Sequence, residues 1–157
     1  MLEGKKAPNF SLPSTGDETV ALSDYLGQKV VLYFYPKNFT ASWITQAGEF
    51  DYLLHDFSAA NTVVLGISTD SLESHKKFKS KFNLNFKLLS DEDKEVHKLY
   101  DTWQLKEKEG DEYFGTVRST FIIDESGTVI KEYRSVDAEG HAKKILDFIE
   151  NYDEIDG

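Results

Sequence analysis

The chain has 157 residues, of which 39% are hydrophobic and 29% charged, and this composition is typical of a folded, soluble globule. Its formal net charge of −10 repels nucleic-acid phosphates and anionic lipid surfaces, so we expect neither as a partner. No apolar run approaches the roughly 20 residues that span a bilayer, and the N-terminus has no apolar signal core. We therefore predict a single cytoplasmic domain over residues 1–157, with a frayed acidic tail from residue 153.

The sequence contains no cysteine, and its one methionine is Met1. Disulfide bonds and thiolate-bound metals are therefore excluded, and we expect no cofactor and no metal. Asp51 and His55 have the i, i+4 spacing of a metal-binding pair, but no third ligand is evident. A solvated ion pair on one helix is the simpler interpretation of these two residues.

The first half of the chain predicts an N-terminal β-hairpin and two central strands. Phe10–Ser14 and Thr19–Leu22 flank a Thr-Gly-Asp turn. The continuous apolar runs Val30–Tyr35 and Thr62–Ile67 indicate strands that are covered on both faces. A helix is predicted between them from Thr40, because apolar residues recur there at spacings of three and four. The residues of this stripe are Trp43, Ala47, Phe50, Leu54 and Phe57.

Two more helices are predicted after the second strand. Asp70 and Glu73 form a capping-box pattern, and the helix that follows would bury Leu72, Phe78 and Phe82. A short strand over Phe86–Leu89 precedes a second helix, for which Ser90 is the predicted cap. The apolar residues that this second helix would bury are Val96, Leu99 and Trp103.

The C-terminal third predicts a charged loop, a hairpin and a closing helix. Lys106–Gly115 is the loop, and Ser119–Ile123 with Thr128–Tyr133 are the hairpin strands. The last helix follows Asp137. Its predicted inner face consists of Ala138, Ala142, Ile145, Ile149 and Tyr152. Two β–α–β passages followed by a hairpin and a helix predict an α/β fold with a mixed sheet flanked by helices on both faces.

Five motifs follow one another along the chain: GKKAPNF at Gly4–Phe10, VVLYFYPK at Val30–Lys37, GIS at Gly66–Ser68, LLSD at Leu88–Asp91 and RSTFIID at Arg118–Asp124. In this order they resemble the motifs of the peroxiredoxins (AhpC/TSA-like), specifically the peroxiredoxin Q or bacterioferritin comigratory protein branch. The resemblance implies a thioredoxin-like fold, the activity of a thiol-dependent hydroperoxide reductase, and a monomer or weak homodimer.

The resemblance also implies a pocket in which Pro36, Thr40 and Arg118 surround a catalytic sulfur. The position of that peroxidatic cysteine is Trp43 in this sequence, and the resolving position is Gly48. Neighbouring positions of the family loop are also different. Where the family has a glutamate this chain has Gln46, and the residues flanking Trp43 are Ala41, Ser42 and Ile44.

Each remaining residue of this pocket has two interpretations. Trp43 either lines a remodelled pocket or packs in the core with its apolar stripe, and we favour packing. Arg118 is either an anion site or an ion-paired arginine among 28 acidic residues. Thr40 either contacts a ligand or only caps the helix.

Three hypotheses for function follow. In the first, the protein is catalytically silent as a thiol peroxidase, because no thiolate is present, and acts by binding a small anion or another protein. In the second, it is an engineered or variant form of a genuine thiol peroxidase. In the third and weakest, the pocket of Thr40 and Arg118 supports a new activity that needs no sulfur.

Overall fold

A computed structural model describes residues 2–135 and 139–156, with side chains described to residue 152. The strands are β1 (Ser11–Pro13), β2 (Thr19–Ala21), β3 (Lys29–Phe34), β4 (Thr62–Ser68), β5 (Lys87–Ser90), β6 (Trp103–Lys108), β7 (Asp111–Thr116), β8 (Ser119–Ile123) and β9 (Val129–Arg134). The helices are α1 (Ala41–Tyr52), α2 (Leu54–Ala59), α3 (Leu72–Lys81), α4 (Glu95–Leu99) and α5 (His141–Asp156), and a 3-10 turn covers Leu22–Tyr25.

The centre of the molecule is a five-stranded mixed sheet with the order β5-β4-β3-β8-β9. Strands β3, β4 and β5 are parallel, whereas β8 and β9 are antiparallel to their neighbours. In the register of β3 and β4, Tyr33 lies opposite Gly66. Strands β1 and β2 form a separate hairpin, as the turn between them predicts. The predicted α/β class with a central mixed sheet is confirmed.

The side chains of β3 alternate between two hydrophobic cores. Val31 and Tyr33 lie in a core with buried residues of α1, α2, α3 and α5. Leu32 and Phe34 lie in the other core, which the N-terminal hairpin and α4 cover. Because both faces of β3 are covered, its apolar residues form an unbroken run rather than an alternating one.

The predicted helix from Thr40 is interrupted at Leu53. This residue has φ −94° and ψ 5°, so α1 ends there and α2 begins at Leu54. Phe57 remains buried, with its ring centroid 5.9 Å from that of Phe50, but Leu54 is only half-buried. Leu54 still packs against the same core, so the predicted apolar stripe is confirmed, whereas the single helix predicted to carry it is divided at Leu53.

The start of α3 differs from the predicted capping box. Ser71 is the N-cap, and its hydroxyl accepts a hydrogen bond from the Ser74 amide. The Asp70 carboxylate accepts instead from the backbone amide of Asn38, at 2.7 Å. Phe78 is buried as predicted, whereas Leu72 and Phe82 are only half-buried. The predicted cap at Asp70 was wrong, because the next residue, Ser71, is the cap and the Asp70 carboxylate accepts from Asn38 and Ser68 instead.

Several predictions for the residues around α4 were wrong, because the positions of these residues depend on tertiary contacts. Ser90 ends β5 and donates to the Asp70 carbonyl at 2.6 Å, so it caps no helix. Val96 is buried, but Leu99, the last residue of the five-residue α4, is 52% exposed, so its predicted burial was wrong. Trp103 belongs to β6 rather than to the helix.

The segment predicted as a charged loop is a β-ribbon. Strands β6 and β7 pair from Trp103 opposite Thr116 to Lys108 opposite Asp111. Both residues of the turn have positive φ, 54° for Glu109 and 85° for Gly110, as a two-residue hairpin turn requires. Most of the ribbon's side chains are exposed, so no alternation of apolar and polar residues indicated its strands.

At the C-terminus, α5 packs on the first core through Ala142, Ile145 and Ile149, as predicted, and Tyr152 is half-buried. The predictions for Asp137 and Ala138 fall outside the described residues. The backbone is helical to Asp156, and fraying of the acidic tail stays a prediction. None of the helices in the described ranges has the length and apolarity to cross a membrane.

Candidate functional site

Most of the predicted site residues lie where β3 ends and α1 begins, whereas Arg118 lies between β7 and β8. Pro36 is half-buried and directly follows Tyr35, whose side chain is completely buried. Thr40 is the N-cap of α1, because its hydroxyl accepts from the Trp43 amide at 3.4 Å. The same hydroxyl donates to the Lys37 carbonyl at 3.2 Å. Of the two interpretations of Thr40, this geometry supports the helix cap.

Trp43 is a core residue, with no exposed surface. Its indole stacks on Tyr35, with centroids 3.8 Å apart and planes 12° apart, and on Tyr33 at 5.4 Å. Phe78 of α3 lies on it at 6.2 Å. The packing interpretation of Trp43 is confirmed by this burial.

The indole fits against β4 because residue 66 is glycine. A Cβ atom at Gly66 would lie 3.3 Å from Cζ2 of Trp43 and 2.9 Å from Cδ2 of Leu88. The second distance is shorter than ordinary side-chain contacts allow. The absence of a side chain at Gly66 therefore gives Trp43 room between α1 and the sheet.

Several buried polar atoms near Trp43 have no hydrogen-bond partner in the described part of the chain. They are Oη of Tyr33, Nε1 of Trp43, Nε2 and Oε1 of Gln46, and Nη1 of Arg118. Gln46 is completely buried one turn after Trp43, and the ring of Tyr33 contacts both Trp43 and Phe50, on either side of Gln46. Unpaired buried polar groups are uncommon in folded proteins, so several in one region indicate a site that accepts a polar molecule.

Arg118 lies between β7 and β8, beside Tyr33. Burial raises the pKa of the Tyr33 hydroxyl, and the Arg118 guanidinium opposes that rise. Arg118 is half-buried and forms no ion pair with any described carboxylate. The interpretation of Arg118 as an ordinary ion-paired residue is therefore not supported.

Lys106 of β6 adds a second cation near Arg118. Its pKa is lowered by burial first, and then by the positive charge of Arg118. The Lys106 side chain lies along the backbone of Gly115, where a Cβ atom would be 3.3 Å from Cδ of the lysine. No pattern in the sequence indicated this neighbour, since Lys106 lay in the segment predicted as a loop.

A buried polar network beside the site was also missed. Tyr35 donates to Oδ1 of Asn38 at 2.8 Å, and Nδ2 of Asn38 lies 3.1 Å from Nδ1 of His75. Because the asparagine nitrogen can only donate, Nδ1 accepts and Nε2 carries the proton. Nε2 lies 3.3 Å from the Ser68 hydroxyl, and burial lowers the pKa of His75 to about 4. The position of His75 three residues before Phe78, on the buried side of α3, was the available signal.

Two other predicted positions lie apart from this cluster. Gly48 is exposed on α1. The Asp51 carboxylate accepts from the backbone amide of Asn85 at 2.7 Å. The described structure has no ion pair between Asp51 and His55. The predicted Asp51–His55 ion pair was wrong, because the helix that would carry it breaks at Leu53.

Comparison with known proteins places the chain among relatives of similar length. The model of the AhpC/TSA family matches residues 3–132. "Peroxiredoxin Bcp" of Bacillus subtilis (strain 168) is 43% identical over 151 residues, which cover 96% of each chain. "Putative peroxiredoxin bcp" of Helicobacter pylori (strain J99) is 43% identical over 144 residues, which cover 92% of this chain and 95% of that one.

Two solved structures are also similar to this chain over most of its length. The bacterioferritin comigratory protein of Xanthomonas campestris superposes with a TM-score of 0.88 at 33% identity, and the match covers 91% of each chain. Peroxidoxin BcpB from Mycobacterium tuberculosis has a TM-score of 0.85 at 28% identity, with 96% of this chain and 97% of that chain covered.

Proposed function

Because the chain belongs to the AhpC/TSA family of peroxiredoxins, we propose that it retains the family scaffold but acts by binding a small anion, without thiol-peroxidase turnover. The absence of cysteine from all 157 residues supports the second half of this proposal. Peroxide reduction by a thiol needs a low-pKa thiolate as the nucleophile, and no other side chain supplies one.

The state of Arg118 is the observation that carries the binding proposal. The chain has 28 acidic residues, yet no described carboxylate lies within ion-pair distance of this arginine. One of its nitrogens, Nη1, is buried without a hydrogen-bond partner. The guanidinium lies close enough to the Tyr33 hydroxyl to lower its pKa by side-chain hydrogen bonding and by charge, although no hydrogen bond of regular geometry joins them. A guanidinium with unused donors is a good binding group for a carboxylate or a sulfate-like oxyanion.

Lys106 strengthens this argument. The charge of Arg118 lowers the pKa of Lys106, so the two cations repel each other in a partly desolvated region. A bound anion would relieve this repulsion and would pair with the unused donors of Arg118. The net charge of −10 opposes the approach of anions to most of the surface, so binding here depends on the local positive charge of Arg118 and Lys106.

Trp43 supports the loss of thiol chemistry in a second way. Its indole is completely buried and stacked on Tyr35. If Trp43 stands where the family has its reacting cysteine, the region next to the start of α1 is filled by an aromatic ring. A peroxide would then meet packed carbon atoms rather than a nucleophile.

A titration with sodium sulfate and sodium acetate tests the proposal. The two indole N–H signals in a proton–nitrogen correlation spectrum report on Trp43 and Trp103, the only tryptophans. We expect the Trp43 signal to move saturably with a Kd of about 10 mM, and the Trp103 signal to remain nearly unchanged. Arg118→Gln should abolish the shift, whereas Lys98→Gln removes the same charge from exposed α4 and should not.

The same sample should consume no hydrogen peroxide and no organic hydroperoxide with dithiothreitol as reductant. Saturable turnover above the protein-free blank would contradict the silent half of the proposal. Equal shifts of both indole signals, or a shift that survives Arg118→Gln, would contradict the binding half, because such a shift would reflect ionic strength alone.

A further inference from the structure

The ribbon of β6 and β7 has two unpaired edges. Its strands pair with each other only, and neither joins the central sheet. At the base of the ribbon, the Val117 amide donates to the Thr102 carbonyl at 2.7 Å. The described residues give the ribbon no other backbone partner. An open strand edge is a template for pairing with another chain.

The turn and the base of the ribbon fix which backbone groups point outward. In an antiparallel pair, hydrogen-bonded and non-hydrogen-bonded residue pairs alternate. Thr102 and Val117 form a hydrogen-bonded pair. By this alternation, the following pairs are hydrogen-bonded as well: Gln104 with Gly115, Lys106 with Tyr113, and Lys108 with Asp111. The N–H and C=O groups of the alternate residues therefore face outward. These are Trp103, Leu105 and Glu107 on β6, and Glu112, Phe114 and Thr116 on β7.

The ribbon also exposes large apolar side chains. Leu105 is 54% exposed, Tyr113 45% and Phe114 60%. Leu105 and Phe114 lie directly opposite each other on one face, and Tyr113 lies opposite Lys106 on the other face. Exposed aromatic residues along an unpaired strand edge are typical of an interaction surface.

Charge decides which edge suits a second copy of this chain. Two-fold pairing of β6 edges at the exposed end of the ribbon places Lys106 opposite Lys106, or Glu107 opposite Glu107. Like charges directly opposite each other destabilise a pair of strands. A register centred on Leu105 avoids this, but it requires Gln104 and Trp103, which are half-buried at the base.

On the β7 edge, a register centred on Glu112 would place the two Glu112 carboxylates opposite each other, and one centred on Phe114 would require Thr116, which is buried. The register centred on Tyr113 has neither conflict. A two-fold axis at Tyr113 pairs the outward backbone groups of Glu112 with those of Phe114 in the second copy. Asp111 then lies opposite Gly115, and the two Tyr113 rings lie opposite each other as a non-hydrogen-bonded pair, which brings their side chains closest. Residues 111–114 are exposed, and only Gly115, at the end of the register, is half-buried, so four of its five residues are open to a partner.

We propose that two copies of this protein associate by antiparallel pairing of their β7 edges about Tyr113, forming a four-stranded ribbon. The isologous arrangement closes as a dimer, whereas pairing of β6 with β7 would continue as an open filament. The interface is a short strand edge, so the dimer is weak and forms at high protein concentration.

Sedimentation of the full chain from about 10 μM to about 1 mM tests the proposal, with an expected rise from the monomer mass of 17.9 kDa towards twice that value. Tyr113→Lys places two lysines opposite each other on the axis, and we expect it to raise the dissociation constant at least about tenfold. Leu105→Lys makes the same change on β6 and is the matched control, with an expected dissociation constant within about twofold of the parent chain.

Hydrogen exchange identifies the edge independently. The amides of Glu112 and Phe114 should become protected as the concentration rises, while those of Leu105 and Glu107 should not. A chain that stays monomeric at about 1 mM overturns the proposal. So does a dimer that is insensitive to Tyr113→Lys, a dimer lost equally in Leu105→Lys, or protection on β6 instead of β7.

Discussion

At the scale of the residue, Gln46 is a polar side chain in buried surroundings that offer it no hydrogen-bond partner. Its side chain is completely buried, and neither amide atom has a partner among the described residues. A buried polar group without a hydrogen bond costs roughly 1–3 kcal/mol of folding free energy. A residue retained at such a cost is typical of a site rather than of a core, because function is what offsets lost stability.

We expect Gln46→Leu to stabilise the protein, because leucine has a similar size and leaves no amide unpaired. The free energy of unfolding in urea should rise by roughly 1–3 kcal/mol. Gln28→Leu is the control, since Gln28 is exposed and its change should stay within about 0.5 kcal/mol. A loss of stability in Gln46→Leu would mean that its amide has partners, and would remove it from the set of unpaired groups.

At the scale of the element, Trp43 is the largest of the buried side chains, with Ala47 and Phe50, that pack α1 on the sheet. The Trp43 indole lies over Gly66 of β4 and stacks on Tyr35, which directly follows β3. Phe78 connects the same ring to α3. The position of the helix thus depends on a pair of complementary sizes, the largest side chain on α1 and the smallest residue on β4.

We expect Trp43→Ala to cost about 3–5 kcal/mol of unfolding free energy, because it leaves a cavity between helix and sheet. Gly66→Ala should cost about 1–3 kcal/mol, since its methyl group would meet both Trp43 and Leu88. The double variant should cost less than the sum of the two single changes, by at least about 0.5 kcal/mol, because the new methyl enters space that the indole has left.

Tyr52→Ala is the control for this experiment. Tyr52 is on the same helix but 87% exposed, so Tyr52→Ala should change the free energy of unfolding by about 0.5 kcal/mol. Strict additivity of Trp43→Ala and Gly66→Ala would show that the two residues do not depend on each other. Equal m-values in all variants are needed before the unfolding free energies are compared.

At the scale of the whole molecule, two buried histidines connect stability to pH. Burial lowers the pKa of His75 and of His141 to about 4, from an ordinary value of 6.5. His141 lies 2.8 Å from the Thr120 hydroxyl through Nε2, and its ring packs near Tyr33 and Tyr133. Both side chains are therefore neutral in the folded protein at pH 7.

We expect the free energy of unfolding to fall as the pH drops from 6.5 towards 4. The unfolded chain binds more protons than the folded chain in this window, because the folded-state pKa values lie below the unfolded ones. Each histidine should account for a loss of about 2 kcal/mol by pH 5. The full stabilisation is present above pH 6.5.

Urea denaturation at several pH values measures this loss. His75→Gln and His141→Gln should each flatten the pH dependence between pH 7 and pH 5, while His55→Gln, at an exposed position, should not. Asp91 also has a lowered pKa, but its contribution is lost only below its ordinary value of 3.8. A stability that stays constant from pH 7 to pH 5 would contradict neutral burial of the two histidines.

The sequence by itself determined the architecture and the absence of thiol chemistry. The apolar runs of β3 and β4, the stripe through Trp43, Ala47 and Phe50, and the hairpin turns are local patterns whose physical origin is burial of one face or of both. The lack of cysteine needs no coordinates at all. These features depend on residue identity and short-range spacing, which a sequence displays directly.

Only the tertiary structure decided which groups meet. That Arg118 lies beside Tyr33 and Lys106, and that Gly66 leaves room for Trp43, depends on contacts between residues far apart in the chain. The ribbon of β6 and β7 was missed for a related reason. Most of its side chains are open to solvent, so no periodic pattern of burial was present in the sequence to indicate its strands.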